Sequence, residues 1–363
     1  MLDKLFNTIN APSVQYMIFN KDSIIYYHVS GYAKTGIQKA DNNTSYNLHS
    51  LSETFTALAV LQLAADDKLQ LNEPIIKYFP DFSFDNHITI YDLLAHSSGI
   101  KDPEGIDWYH SAEIHRLFDE KNFCSEIINE IPARVPKREK KYCRSNTGYL
   151  LLGKLIERVS FYSYEEYISK NILQKLQPYG ILFPHTNTLP AATGYQKTFS
   201  LSTLSPDYLF DKERTRGELK SYWKPIDIYY TNNPSVNSLA ATAHGLAAYL
   251  KEFIKKDSKL IPGNYKSLFL ESSRLNSKKN TYGNIGWIKG KLRDFDYFSY
   301  AGTGEGYYSE ARIYPEAGLG SLILLNRTGL KEEKLLDRTD LYFLKTYNPH
   351  IEPDIYAEAN IMA

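Results

Sequence analysis

Strand-forming segments lie at both ends of this 363-residue chain, and mainly helical segments separate them. Residues 13–33 (SVQYMIFNKDSIIYYHVSGYA) are rich in β-branched and aromatic residues and are broken by polar residues 20–22, which predicts an antiparallel hairpin. Similar segments return near the other end as YGNIGWIKGK, FDYFSYAG, YYSEARIYP and GLGSLILLNR. Because strands must pair with other strands, we expect residues 12–32 and 282–326 to share one antiparallel sheet.

Helical spacing dominates between these ends. From Ser50 the apolar residues recur with helical rather than alternating spacing, and Pro74 and Pro80 are expected to mark the end of this helix. Four further helices are predicted in ITIYDLLAHSSG (closed by Gly99), NTGYLLLGKLIERVS, SYEEYISKNILQKL and SLAATAHGLAAYLKEFI, and a last one in KEEKLLDRTDLYFLKTY. Residues 178–235 give only weak patterns, and no element is predicted there.

The order of elements predicts an α/β (α+β) fold, an antiparallel sheet from both termini flanked by helices. We expect a single domain over residues 1–345 with a short tail, 346–363. Its α/β part comprises about 1–75 and 236–345, and its mainly helical part about 76–235.

Composition excludes several classes of function. The 42 basic and 42 acidic residues balance, which gives no reason to expect a nucleic-acid partner. The N-terminal residues do not resemble a secretory signal, and no apolar run is long enough to span a membrane. We therefore expect a cytoplasmic protein as written, or a secreted or periplasmic one if a signal peptide has been removed. Cys124 and Cys143 form neither a disulfide framework nor a metal site, and we expect no cofactor.

Four segments carry the functional signal. In chain order they are YNLHSLSETFTALAVLQLAADDKLQL, ITIYDLLAHSSGI, RSNTGYLLLGKLIERVS and YAGTGEGYYSEARIYPEAGLGSLILLNR. From about residue 12 to about residue 328 this order resembles the serine β-lactamase and penicillin-binding-protein superfamily, in the branch that holds class C β-lactamases, DD-peptidases and esterases. The resemblance implies a β-lactamase/transpeptidase-like fold and the signature S-x-x-K, then Y-x-N or S-x-N, then K-T-G or H-x-G.

Some signature positions agree with the family. Ser50 stands at the nucleophile position, and Ser145 and Asn146 match the second element. Gly302 matches the third element. The resemblance implies that these residues line a cleft, with Asn146 and Gly302 at its binding side.

Three signature positions have changed. The family's lysine falls on Glu53, its tyrosine on Arg144, and its basic residue of the third element on Tyr300. A serine hydroxyl needs a base to take its proton before it attacks. A carboxylate beside an arginine has a lowered pKa and is a weak base, and arginine does not deprotonate.

These substitutions predict an ion pair. The family's lysine and tyrosine touch beside the serine, so we expect Glu53 and Arg144 to pair within hydrogen-bonding distance of the Ser50 hydroxyl. Arginine's planar fork can hold a carboxylate through two hydrogen bonds, which would fix both side chains.

Simpler interpretations exist for each position. Ser50 is also a suitable helix N-cap, and Glu53 a suitable acid for a first helical turn. His49 and His96 are interpreted as structural, the latter within an HSSG turn that shapes the cleft. Tyr300 can still donate a hydrogen bond to a ligand carboxylate. Three lysines are interpreted as solvated surface: Lys68, Lys101 and Lys141.

Two functional hypotheses follow. In the first the chain is a pseudoenzyme whose cleft binds a small ligand or peptide, or whose surface binds a protein partner. In the second it is an active serine hydrolase of esterase, amidase or peptidase type, which uses Ser50 with altered machinery. A third possibility is drift, in which the cleft has no function.

Overall fold

The computed structural model describes residues 6, 9–81, 85–131, 142–176, 179–186, 189–197, 223–271, 283–328 and 335–347. Within them the largest sheet has eight strands in the order β11-β12-β13-β14-β15-β1-β2-β3, and all its neighbouring strands are antiparallel. Its strands are β1 Ser13–Asn20, β2 Ile24–Lys34, β3 Gln38–Lys39, β11 Gly283–Asn284, β12 Trp287–Leu292, β13 Phe295–Gly304, β14 Tyr307–Tyr314 and β15 Leu319–Leu325.

The predicted joining of the two ends is confirmed at β1. Met17 of this strand lies opposite Leu322 of β15 on one side and opposite Tyr27 of β2 on the other. The N-terminal hairpin and the C-terminal strands therefore form one sheet. Strand β1 is buried along almost its whole length, as a strand between two neighbours and two covered faces must be.

Short strands pair outside the main sheet. They are β4 Tyr46–Asn47, β5 Tyr109–Ser111, β6 Ile181–Leu182, β7 Tyr195–Lys197, β8 Trp223–Pro225, β9 Tyr229–Thr231 and β10 Ala240–Ala241. Strands β5 and β9 form a two-stranded ribbon, as do β7 and β8, and β10 joins β4 to β6. Several of these strands lie in the region where the sequence pattern was weak, because two or three residues are too few to show alternation.

The helices are α1 Glu53–Ala65, α2 Ile90–Leu94, α3 Glu120–Asn129, α4 Asn146–Ser160, α5 Tyr164–Asn171, α6 Pro234–Asn237, α7 Ala243–Ile254, α8 Lys266–Glu271 and α9 Leu335–Tyr347. Single 3₁₀ turns occupy His49–Ser52, Ile75–Tyr78, His115–Leu117, Leu173–Lys175, Pro184–Thr186 and Gly263–Tyr265. The predicted tail lies outside the described residues, apart from its first two, which end α9.

Two predicted helix ends are wrong. Helix α1 ends at Ala65, well before Pro74, because Asp67 adopts a left-handed backbone with φ of 56°. Helix α2 ends at Leu94 rather than near Gly99, because His96 has a φ of 51°. A left-handed residue other than glycine ends a helix without an obvious sequence signal.

Helix α1 lies in the core, and the sheet determines where it begins. Every residue from Glu53 to Ala64 is buried. The preceding turn is held against the sheet, since the Ser309 hydroxyl donates a hydrogen bond to the Leu48 carbonyl at 2.7 Å. A Cβ atom at Gly302 would lie 1.8 Å from that same carbonyl oxygen. Only glycine permits this approach of β13 to the turn.

No described helix is both long enough and apolar enough to cross a membrane.

We predict that Gly302→Ala lowers the free energy of unfolding by at least about 3 kcal/mol, because the new methyl group meets backbone that cannot move aside alone. Denaturant unfolding measures the loss. Gly263→Ala is the control, since no heavy atom lies within 4 Å of its added Cβ. Equal stabilities of the two variants would contradict the role of Gly302 in seating the turn.

Candidate active site

The candidate nucleophile lies on a strained turn that leads directly into helix α1. His49 begins the 3₁₀ turn with a φ of 46°, an uncommon value for a residue with a side chain. Ser50 follows and is 4% exposed. Its hydroxyl accepts a hydrogen bond from Arg144 Nη2 and lies 3.4 Å from Asn237 Oδ1, to which it donates. An amide oxygen is not a base, so neither hydrogen-bond partner of the Ser50 hydroxyl among the described residues is one that takes a proton.

Glu53 is completely buried at the first position of α1 and receives three donors. Its Oε1 lies 2.7 Å from Arg144 Nη2. Its Oε2 accepts hydrogen bonds from Tyr300 Oη and, at 3.1 Å, from His96 Nε2. A buried carboxylate is tolerated only when its oxygens are paired in this way.

The predicted contact between Glu53 and Arg144 beside Ser50 is present, and it is made through one guanidinium nitrogen rather than two. Only Nη2 of the guanidinium reaches the carboxylate, through Oε1. The second oxygen is taken by His96 and Tyr300. The Arg144 side chain is 42% exposed, whereas that of Glu53 is 0% exposed. The pair therefore spans the boundary between the core and the solvent.

The residues that contact Glu53 stabilise its ionised form. Burial alone would raise the pKa of this carboxyl, but the Arg144 charge and the hydrogen bonds from His96 and Tyr300 outweigh burial and lower the pKa below its ordinary value of 4.5. Glu53 is thus ionised at neutral pH. A carboxylate with a lowered pKa is a poor proton acceptor for a serine hydroxyl.

His96 contacts the site directly, and its interpretation as merely structural was too narrow. The Ser145 backbone N–H donates to His96 Nδ1 at 3.2 Å, so Nδ1 carries no proton and Nε2–H donates to Glu53. The ring stacks on Tyr149 with 4.7 Å between centroids. The family-like HSSG turn pointed to the position of His96 but not to its partner, which lies 43 residues away.

The backbone of Asn146 and Thr147 is held by an acid that sequence analysis missed. Asp102 accepts hydrogen bonds from the backbone N–H groups of Asn146 at 3.1 Å and Thr147 at 2.8 Å. These are otherwise unpaired N–H groups at the start of α4, where a carboxylate is favoured. Asp102 thereby orients the chain that carries Arg144. The binding role assigned to Asn146 stays a prediction.

Tyr300 faces inward. It is 3% exposed and its hydroxyl donates to Glu53, so the expected hydrogen bond from Tyr300 to a ligand carboxylate does not fit its orientation. Burial and the nearby Glu53 charge raise the pKa of Tyr300 well above its ordinary value, which keeps the hydroxyl protonated as a donor. Gly302, two residues on, packs against the Leu48 carbonyl and thus places β13 beside the Ser50 turn.

His49 is buried between two tyrosines of the β5–β9 ribbon. Its Nδ1 lies 3.4 Å from Tyr109 Oη and its Nε2 lies 3.3 Å from Tyr229 Oη. Burial, together with the Arg144 charge, lowers the pKa of His49 to about 4. His49 is therefore neutral at pH 7, and no contact joins it to the Ser50 hydroxyl among the hydrogen bonds of the described residues.

Other sequence expectations concern residues away from this site. Lys68 and Lys101 are exposed, and Lys141 lies outside the described residues. Both cysteines are free thiols. Across the described ranges, no group of three or more His, Cys, Asp and Glu side chains is placed to hold a metal ion.

We predict a measurable coupling between Glu53 and Arg144. In a double-mutant cycle with Glu53→Gln, Arg144→Gln and the double variant, denaturant unfolding should give a coupling of about 1–3 kcal/mol. The partial exposure of Arg144 keeps this below the cost of breaking a fully buried pair. A parallel cycle on the surface pair Lys77 and Glu73 should give less than about 0.5 kcal/mol. Additive effects at the site would contradict the ion pair.

A second prediction concerns pH. The folded-state pKa of His49 lies below its ordinary value of 6.5, so the neutral ring contributes stability above pH 6.5 that is lost as the pH falls toward 4. This group should account for about 3 kcal/mol over that window. His49→Asn keeps a residue that tolerates positive φ and should make the free energy of unfolding fall less steeply with acid. Equal slopes for His49→Asn and the unchanged protein would argue against a buried neutral His49.

Comparisons with known proteins agree with the geometry. The Beta-lactamase family model matches residues 2–344. Penicillin-binding protein 4* of Bacillus subtilis (strain 168) is 26% identical over 287 residues, which cover 73% of this chain and 57% of that protein. Protein flp of Staphylococcus aureus (strain MW2) is 28% identical over 313 residues, 82% of this chain and 56% of that protein. The chain thus spans little more than half the length of these curated relatives.

Solved structures share the fold. A penicillin-binding protein homologue from Pyrococcus abyssi, described as octameric, superposes with a TM-score of 0.75 at 23% identity, covering 99% of this chain and 79% of that one. A class C β-lactamase from Rhodobacter sphaeroides gives a TM-score of 0.69 at 14% identity, covering 94% and 97%. These similarities confirm the β-lactamase/transpeptidase-like fold. With the family model matching almost the whole chain, the protein belongs to the Beta-lactamase family.

Proposed function

We propose that this chain is a non-catalytic member of the serine-hydrolase fold, a pseudoenzyme whose cleft binds a small molecule or peptide without hydrolysing it. The observation that carries the proposal is the set of contacts around Ser50. The hydroxyl accepts from a guanidinium and donates to an amide oxygen, and neither group can act as a base.

The neighbouring carboxylate supports the same conclusion. Glu53 occupies the place of the family's lysine, and both of its oxygens are already hydrogen-bonded. To accept the Ser50 proton it would have to give up donors that lower its pKa while remaining buried. General base catalysis contributes about 10²–10⁴-fold to enzymatic rates, so its loss makes turnover slow.

The retained scaffold supports a ligand site. Gly302 of β13 and the Ser309 hydroxyl pack against the Leu48 carbonyl before the Ser50 turn, and the Asp102 carboxylate holds the start of α4. The relatives include proteins described as penicillin-binding, which supports a small amide or peptide as the kind of molecule to be bound.

The test is covalent labelling of Ser50. We expect intact-mass analysis to show no adduct at Ser50 after exposure to a fluorophosphonate or to a penicillin, and we expect turnover of a chromogenic cephalosporin well below the 1–10³ s⁻¹ usual for enzymes. The double variant Glu53→Lys with Arg144→Tyr restores the family residues and should be labelled at least about 100-fold faster. Ser50→Ala is the control for the labelled position. A Ser50 adduct on the unchanged protein would instead support an active hydrolase with altered machinery.

A further inference from the structure

Arg144 has hydrogen-bonding capacity that the site does not use. A guanidinium carries five N–H donors. The two on Nη2 are directed to Ser50 Oγ and Glu53 Oε1. The three donors on Nη1 and Nε have no hydrogen-bond partner among the residues that the structure describes, and the side chain is 42% exposed.

This outward orientation follows from how Glu53 is satisfied. His96 and Tyr300 supply the hydrogen bonds to Oε2, so Arg144 needs only one of its nitrogens for the carboxylate. The contacts made by Nη2 fix the position of the other two guanidinium nitrogens, Nη1 and Nε. A guanidinium fixed in this way is pre-organised for a second, planar acceptor on the solvent side.

The local charge indicates which acceptor fits. His49 beside the site is neutral at pH 7, because burial and the Arg144 charge disfavour its protonated form. Arg144 is therefore the cation of the described site, and it already faces one carboxylate. The single positive charge of one exposed guanidinium matches the charge of a carboxylate better than that of a doubly charged phosphate.

Two tyrosine rings beside His49 indicate which kind of group accompanies the carboxylate of the ligand. Tyr109 and Tyr229 are only partly buried, and both of their hydroxyls approach the His49 ring. The two rings meet edge to face with 5.1 Å between centroids. An aromatic or other flat apolar group packs favourably against such a pair.

We propose that Arg144 anchors the carboxylate of a small monoanionic ligand that carries an aromatic or other flat apolar group, with that group toward the Tyr109 and Tyr229 rings. This deepens the proposed function and rests on it, because a ligand at Arg144 sits where a substrate would otherwise meet Ser50. In this proposal Arg144, which hydrogen-bonds Ser50 where a base would be needed for hydrolysis, is also the residue that binds the ligand carboxylate.

The experiment compares one ligand with and without its charge. N-acetylphenylalanine and N-acetylphenylalaninamide, each as both enantiomers, are titrated into the intact chain by calorimetry. We expect the acid to bind about 10- to 100-fold more tightly than the amide, the usual contribution of a hydrogen bond to a charged group. The preference should weaken as salt is added.

Variants assign the preference to Arg144. Arg144→Gln should abolish the difference between acid and amide. Arg158→Gln is the matched control, since Arg158 lies at the other end of α4 with a side chain 45% exposed, and it should keep the difference. If Arg144→Gln does not fold, the comparison of acid with amide on the unchanged protein still tests whether the site prefers a ligand carboxylate.

Equal binding of acid and amide, or no binding of either at millimolar concentration, would overturn the anchor. So would a preference that survives in folded Arg144→Gln. These outcomes are distinct from failure of the proposed function, which would appear as a Ser50 adduct in the labelling experiment whatever the charge preference.

Discussion

The buried carboxylate of Glu53 is the interaction on which the rest of the site depends. An unpaired charge in the core costs several kcal/mol, so this residue is compatible with folding only where donors surround it. They come from three separate parts of the chain: the turn after α2 supplies His96, the residues before α4 supply Arg144, and strand β13 supplies Tyr300. One carboxylate thereby ties the sheet to the helical part at the start of α1.

The same contacts are the physical basis of the proposal that the site does not hydrolyse its ligand. Each donor that makes Glu53 tolerable in the core also lowers its ability to accept a proton. Arg144 links this carboxylate to Ser50, and so the serine is hydrogen-bonded to a permanent cation rather than to a base. In the proposed function, stability of the pair and catalysis by the serine oppose one another. Stability and ligand binding do not, because the exposed side of Arg144 takes no part in holding Glu53.

Sequence patterns predicted the framework well where many residues acted together. The β-branched and aromatic residues of β1 and the apolar helical pattern of α4 extend over enough residues to identify each element, and the antiparallel sheet from both ends followed from them. Positions within the family-like segments also brought Glu53, Arg144 and Ser50 together correctly. The sequence did not predict the other donors to this carboxylate, since His96 and Tyr300 are the residues that bind its Oε2.

By itself, the sequence determined which residue types meet at this site, because order and spacing along four segments place them on known parts of one fold. Only the tertiary structure decided which atoms meet. The His96 contact to Glu53 and the Asn237 contact to Ser50 join residues 43 and 187 positions apart. Such contacts depend on side-chain direction and on a positive backbone φ at His49 and His96. No local pattern encodes either, because both result from packing in the whole fold.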